Sequence, residues 1–173
     1  MRPILVLAFA LLLTASTALG QASGPKAVVM AFYRFDAANS QVFNRANIDA
    51  RRRWLSEELY KLLINELERE RAYLAENPTD KPHFGDGLPF QPLDEPCELN
   101  GRQYRRTISY GTVTVKSDLA NVDVFFKYPK GCSIPDVLYV VNMSRERGRW
   151  VIDDIRYLKE NTSLVEVLDR IEY

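Results

Sequence analysis

Histidine is nearly absent from this chain: its 173 residues contain one, His83. No Gly-x-Ser-x-Gly turn occurs, and no histidine beyond His83 could serve as base to a serine or cysteine nucleophile, so nucleophilic triads have little to build on. Cysteine is almost as scarce. Cys97 and Cys132 are the whole complement, and with one imidazole beside them no His/Cys cluster has metal-ligand spacing. A Gly-rich phosphate loop is missing as well. So is an excess of charge of either sign. The chain carries 23 basic and 23 acidic residues, and without Arg2 the balance is 22 against 23. That argues against a nucleic-acid binder or a polybasic membrane binder. The longest apolar run, Ile4 to Leu13, falls well short of the roughly 20 residues that a membrane-spanning helix needs. No internal repeat is visible, no residue set calls for a cofactor, and no catalytic motif rises above chance.

What the first residues do have is a leader. Arg2 supplies a positive start, Ile4 to Leu13 an apolar core, and Thr14 to Gly20 a run of mostly small residues. This is the layout of a cleavable secretory signal over residues 1–22, with small-x-small sites ending at Gly20 and Ala22. No cysteine lies near either site, so no lipid or membrane anchor is expected after cleavage. Residues 23–173, about 150 in all, suit a single domain with a sizeable core in the periplasm or outside the cell. In an oxidising compartment the cysteine pair reads first as a Cys97–Cys132 disulfide, with two buried thiols as the alternative.

Hydrophobic spacing lays out the rest. Residues 25–40 read as a helix with Pro25 in its first turn and an exit at Asn39-Ser40. A second, long helix is expected over 49–76, capped by Asn47 or Asp49, with leucines at helical spacing from Leu55 to Leu74. Arg53–Glu57 and Glu57–Lys61 would pair on its wet side, and Arg51-Arg52-Arg53 reads as its exposed start or as an anion patch. Residues 77–101 hold five prolines and no regular pattern. So long an ordered loop suits an arm lying across the sheet or over a pocket mouth. Four strands follow, over 104–116, 121–128, 137–144 and 150–157. The apolar parity of the first changes between Tyr110 and Val113, which calls for a bulge at Gly111. Gly148 suits positive φ in the last hairpin turn. A short helix over 163–171 ends the chain. The fold class is α+β: two N-terminal helices packed on a strongly bent four-stranded antiparallel sheet, with a short C-terminal helix.

This order, with the ending Arg149-Trp150-Val151-Ile152-Asp153-Asp154-Ile155, resembles the nuclear transport factor 2-like superfamily of cone-shaped α+β domains. Within it the chain is most similar to an exported bacterial family of unknown function. That likeness rests on Ala27-Val28-Val29-Met30-Ala31-Phe32-Tyr33, on Pro89-Phe90 with Cys97, and on Ala120-Asn121-Val122-Asp123-Val124-Phe125-Phe126. The resemblance implies a pocket between the concave sheet face and the helices. In some members that pocket holds an Asp or His working with tyrosines; others only bind ligands, and many form homodimers through the outer sheet face. Fold alone does not choose among these.

The residues that could do chemistry are few. Asp123 lies mid-strand, and inside an apolar cone its charged form would be disfavoured, as a general base requires. Its parity, opposite to Val122 and Val124, favours an outward position instead. Asp153 and Asp154 point to opposite faces, so at most one faces inward; capping a strand end is the simpler role. His83 in the arm could shuttle protons if the arm closes a pocket, but a loop imidazole with no partner in sequence reads more simply as exposed. Tyr33, Tyr110 and Tyr139 could present hydroxyls to a ligand or simply fill the core. Asn142-Met143-Ser144 and Asn161-Thr162-Ser163 match the glycosylation pattern but fall in regular structure. The expected function is that of an exported non-enzymatic domain binding a protein partner or a small apolar ligand through the cone pocket or sheet face. The alternative is a small lyase, isomerase or hydrolase using Asp123 with a tyrosine such as Tyr139, and His83 from the arm.

Overall fold

A computed structural model of the chain describes residues 24–93 and 96–170. The expected leader and Ile171 lie outside them. The first helix, α1 (Pro25–Ala38), forms where its apolar spacing and Pro25 place it, and it buries Val29, Phe32, Tyr33 and Asp36. It ends as expected at Asn39, whose backbone turns extended and whose side-chain amide donates to the Phe35 carbonyl.

The long second helix expected over 49–76 is instead two. Asn44 caps α2 (Arg45–Arg51) by accepting from the Asn47 N–H. A 3-10 turn at Arg52–Trp54 follows, Leu55 is extended, and Ser56 caps α3 (Glu57–Glu76) by accepting from the Leu59 N–H. Glu57 and Glu58 place negative charge in the first turn of α3, where the helix dipole favours it. The sheet causes the break. The Ser56 N–H donates to the Ile152 carbonyl at 2.8 Å, and Leu55 bridges to Ile152, so the chain makes one step of strand pairing between two helices. Asn47 and Asp49 are therefore not caps, and Arg53 and Glu57 do not share one helix; Arg52 pairs with Glu57 at 3.4 Å. Nor is Arg51 exposed. It is fully buried, while Arg52 lies over the Tyr60 ring and Arg53 over Trp54.

After the arm come β1 (Cys97–Leu99) and β2 (Arg102–Tyr104), joined by Asn100-Gly101 with both residues at positive φ. They form a hairpin of their own. Then β3 (Thr107–Lys116), β4 (Leu119–Lys127), β5 (Val137–Glu146), β6 (Arg149–Tyr157) and β7 (Thr162–Ser163) pair in that order as an antiparallel meander, and α4 (Leu164–Arg170) follows. The α+β class holds, but the counts expected for it do not. Among the described residues there are four α-helices and two antiparallel sheets, of five and two strands. The extra strands are short pieces with no alternation long enough to read.

The bulge falls where parity placed it. The β3–β4 register shifts between Tyr110 and Val113, so that Ile108, Tyr110, Val113 and Val115 pair with Phe126, Val124, Val122 and Ala120 along one face. Gly111 is needed for contact as well as for bending, since a Cβ there would lie 2.6 Å from the Phe125 ring. A second shift, between Asn142 and Met143, leaves Asp153 without an opposite residue. The inward faces of the meander close on α1 and α3 in one cluster that includes Phe32, Leu59, Leu63, Val124, Val141 and Ile155.

Cys97 and Cys132 are joined, tying β1 to the loop between β4 and β5. The bond closes a loop of separation 35. Reduction is expected to lower stability by about 3–4 kcal/mol in the chain-entropy view, or about 6–15 °C in Tm. Calorimetry with and without reductant reads the shift. Two free thiols on labelling the untreated native protein, or an unmoved Tm, would contradict it.

Candidate functional site

Residues 77–96 contain the arm, and its chemistry explains its path. Each proline lacks an N–H and has a fixed φ, so the arm has few donors to offer a sheet and is pinned group by group instead. The Phe84 N–H donates to the Glu70 carboxylate of α3 at 2.7 Å. The Leu88 N–H donates to the Gln41 carbonyl at 2.6 Å. The Pro89 carbonyl accepts from the Tyr157 hydroxyl at 2.7 Å. The Gln91 amide donates to the Asp36 carboxylate and accepts from Arg106, which also donates to the Leu93 carbonyl. Between these ties Phe90 is fully buried, edge-on to Phe32 with ring centroids 5.2 Å apart.

Beneath Gln91 lies a charged network that the sequence did not announce. Asp36 and Arg51 are both fully buried and paired through Arg51 Nε. The remaining guanidinium nitrogens donate to the Asn47 and Ser40 carbonyls. One ion pair thus fastens α1, the following loop, α2 and the arm together. Asp36 stands one turn after Tyr33 on the buried face of α1, and that apolar-face position was the available signal.

The space between α1, the arm and the sheet is filled. Phe32, Tyr33, Phe90 and Phe126 leave almost no exposed surface and meet edge to face. Open space remains at the arm, as a cleft of about 330 Å³. Phe84 and His83 line it from the arm, Tyr139 and Tyr157 from the sheet, Val167 from α4, and Asp86 and Glu160 bring carboxylates. Tyr139 and Tyr157 face one another across β5 and β6 with centroids 4.8 Å apart. Tyr139 is only 7% exposed, and its hydroxyl has no hydrogen-bond partner among the described residues. Burial raises its pKa, Glu160 adds to that and Arg106 opposes it; burial raises Tyr157 likewise. Both phenols stay neutral at ordinary pH and keep their O–H donors. The Tyr33 hydroxyl, fully buried, has no hydrogen-bond partner either, and burial together with Asp36 raises its pKa.

Of the residues singled out from sequence, His83 and Tyr139 come together in this cleft. Asp123 does not join them. It pairs with Val140 on β5 while its neighbour Val124 pairs with Tyr139, so Asp123 lies on the opposite face of the sheet, against Gly111. Tyr110 points inward and is half-buried. Asp153, at the second bulge, accepts from the Ser144 hydroxyl at 3.0 Å, and burial raises its pKa. Asp154 accepts from the Ile155 and Val165 N–H groups at the start of α4. Sequence reasoning passed over Tyr157, Phe84 and Glu160. Tyr157 shares inward parity with Ile155, and Phe84 adjoins His83; nothing marked Glu160. A second hollow, of about 310 Å³, lies beside Asp154, Asn161 and Glu166. In it Ser163 and Glu166 are engaged with each other, exchanging the two bonds of a capping box. Among the described residues no three His, Cys, Asp or Glu side chains group to hold a metal ion, and no helix is long and apolar enough to cross a membrane.

Glu70 makes the arm pH-sensitive. Burial raises its pKa, the Phe84 N–H bond offsets part of that, and Glu66 adds to it. A carboxyl raised in the folded state contributes stability that is intact below its unfolded pKa and is lost as pH climbs through the folded one. Glu70→Gln keeps an acceptor for Phe84 and removes this share. It is expected to flatten the decline in stability as pH rises from about 4 toward neutrality, measured by urea unfolding. An unchanged slope would contradict it.

Comparison with protein families, with curated proteins and with solved structures finds no match for this chain. The cleft's geometry therefore carries the functional argument.

Proposed function

We propose that the protein is an exported, non-enzymatic binding domain, and that the cleft between the arm and the Tyr139–Tyr157 pair holds a small ligand with an apolar body. The observation that carries this is Tyr139, only 7% exposed as a residue and lining a cleft, whose hydroxyl is left accessible and makes no hydrogen bond among the described residues. An accessible phenol at the edge of a largely buried ring offers a ligand one donor and one acceptor. The mixture of aromatic and aliphatic walls with a few polar groups is that of small-ligand sites generally. The disulfide supports an oxidising compartment, and the bulged meander over α1 and α3 supports placing the chain in the nuclear transport factor 2-like group. The enzyme alternative has Asp123 on the wrong face to meet Tyr139.

Titration with benzyl alcohol and cyclohexanone, followed by NMR, tests the reading. Shifts are expected at Phe84, Leu88, Tyr139, Tyr157 and Val167. Tyr139→Phe should weaken the ketone about fivefold through loss of one hydrogen bond. Shifts confined to the outer sheet face around Phe125 and Val140, or none at millimolar probe, would overturn the reading.

A further inference from the structure

The lining of the cleft is lopsided in charge. Its four rings, those of His83, Phe84, Tyr139 and Tyr157, present faces and edges, and its charged groups are the carboxylates of Asp86 and Glu160. No lysine or arginine lines it among the described residues. Lys81 neutralises Asp86 at 2.7 Å. Glu160 has no hydrogen-bond or ion-pair partner among the described residues. Arg106, the cation felt by Tyr139, is committed to the Leu93 and Gln91 oxygens. One exposed, unneutralised carboxylate therefore stands with one accessible, unbonded phenol hydroxyl at the end of an edge-to-face tyrosine pair.

Resting on the reading of this cleft as a ligand site, we propose that its ligand class is the alkylammonium ion, a primary amine whose head lies between Glu160 and the Tyr139 oxygen and whose chain packs on Leu88, Phe84 and Val167. The chemistry matches part by part. An ammonium donates up to three bonds, a carboxylate only accepts, and a phenol oxygen accepts as well as donates. Aromatic faces attract cations, more strongly once water is excluded, and methylenes suit the apolar walls. An anion would meet Glu160 with no lining cation to offset it. The same head group occurs on a free alkyl amine and on a lysine side chain.

Three four-carbon probes test the class: n-butylammonium, n-butanol and n-butanoate, titrated into the full chain expressed for export and followed by NMR at Leu88, Tyr139 and Val167. The ammonium is expected to bind roughly five- to tenfold more tightly than the alcohol, with butanoate weakest. Glu160→Gln should weaken the ammonium roughly two- to fivefold and leave the alcohol unchanged. Tyr139→Phe, with its Tm measured alongside, should weaken both. The ammonium preference should also shrink as salt is raised. N-acetyl-lysine N-methylamide separates the two sources: affinity equal to that of butylammonium points to a lysine side chain, exclusion points to a free amine, and either outcome supports the ammonium head. Binding of butanol and butanoate as tightly as butylammonium, or an affinity indifferent to Glu160→Gln, would overturn the ammonium assignment and leave the cleft as a ligand site. No shift at the cleft with any probe would overturn both.

Discussion

Arg51→Met is expected to lower the unfolding free energy by about 3–5 kcal/mol, the loss typical of breaking a buried ion pair from one side. Arg51 and Asp36 have no exposed surface, and beyond their mutual bond the pair is held by three other groups: the Asn47 and Ser40 carbonyls on the arginine, and the Gln91 amide on the carboxylate. Methionine fills much of the volume but leaves Asp36 as a buried carboxylate without its counter-charge. Two carbonyls, those of Asn47 and Ser40, lose their donors as well. The double variant Asp36→Leu with Arg51→Met removes both charges and is expected to recover part of the loss, giving a coupling energy of about 1–3 kcal/mol in a double-mutant cycle. Urea unfolding of the four proteins measures it. A single-variant loss below about 1 kcal/mol would mean that water reaches the pair, as at a surface site.

Phe90→Ala is the second large effect, at about 3–5 kcal/mol. The ring is fully buried against Phe32 although it sits in an arm with no regular structure. Its removal opens a cavity and frees the segment that offers the Pro89 carbonyl to Tyr157. Stability and cleft binding should therefore fall together, with the Tyr157 resonances shifting more than those of Val122, farther along the core on β4. Normal stability in Phe90→Ala would show that the arm only drapes over the surface.

Much of this was legible in the sequence, for local reasons. α1 carries its stop in Asn39. The bulge at Gly111 showed as a change of parity between Tyr110 and Val113, because alternation is a property of each strand alone. The disulfide followed from an even cysteine pair read with an expected leader, and the arm's docking from the length of an irregular segment with Cys97 near its end. What stayed hidden depends on partners distant in the chain. The helix breaks at Leu55-Ser56 because Ile152, nearly a hundred residues later, takes the backbone; Ser56-Glu57-Glu58 was a cap signal hidden within a continuous leucine pattern. Arg51 looked exposed within Arg51-Arg52-Arg53 because its counter-charge lies on another helix. The second bulge sets Asp153 among polar neighbours, where alternation gives no warning. At the site, His83 and Tyr139 were within reach of sequence reasoning. Their meeting with Tyr157 and Glu160 depends on how the arm and the end of β6 come together.

That docking of the arm is tested most directly by native-state hydrogen exchange at the Leu88 amide, which donates to Gln41 from a nearly buried position. The arm has no secondary structure to protect this amide by itself, so protection there reports packing alone. The expected result is exchange as slow as that of the paired amides of β4 and β5, and slowed further by butylammonium. Exchange at the rate of an open loop would mean that the arm is unattached, and the cleft would lose one of its walls.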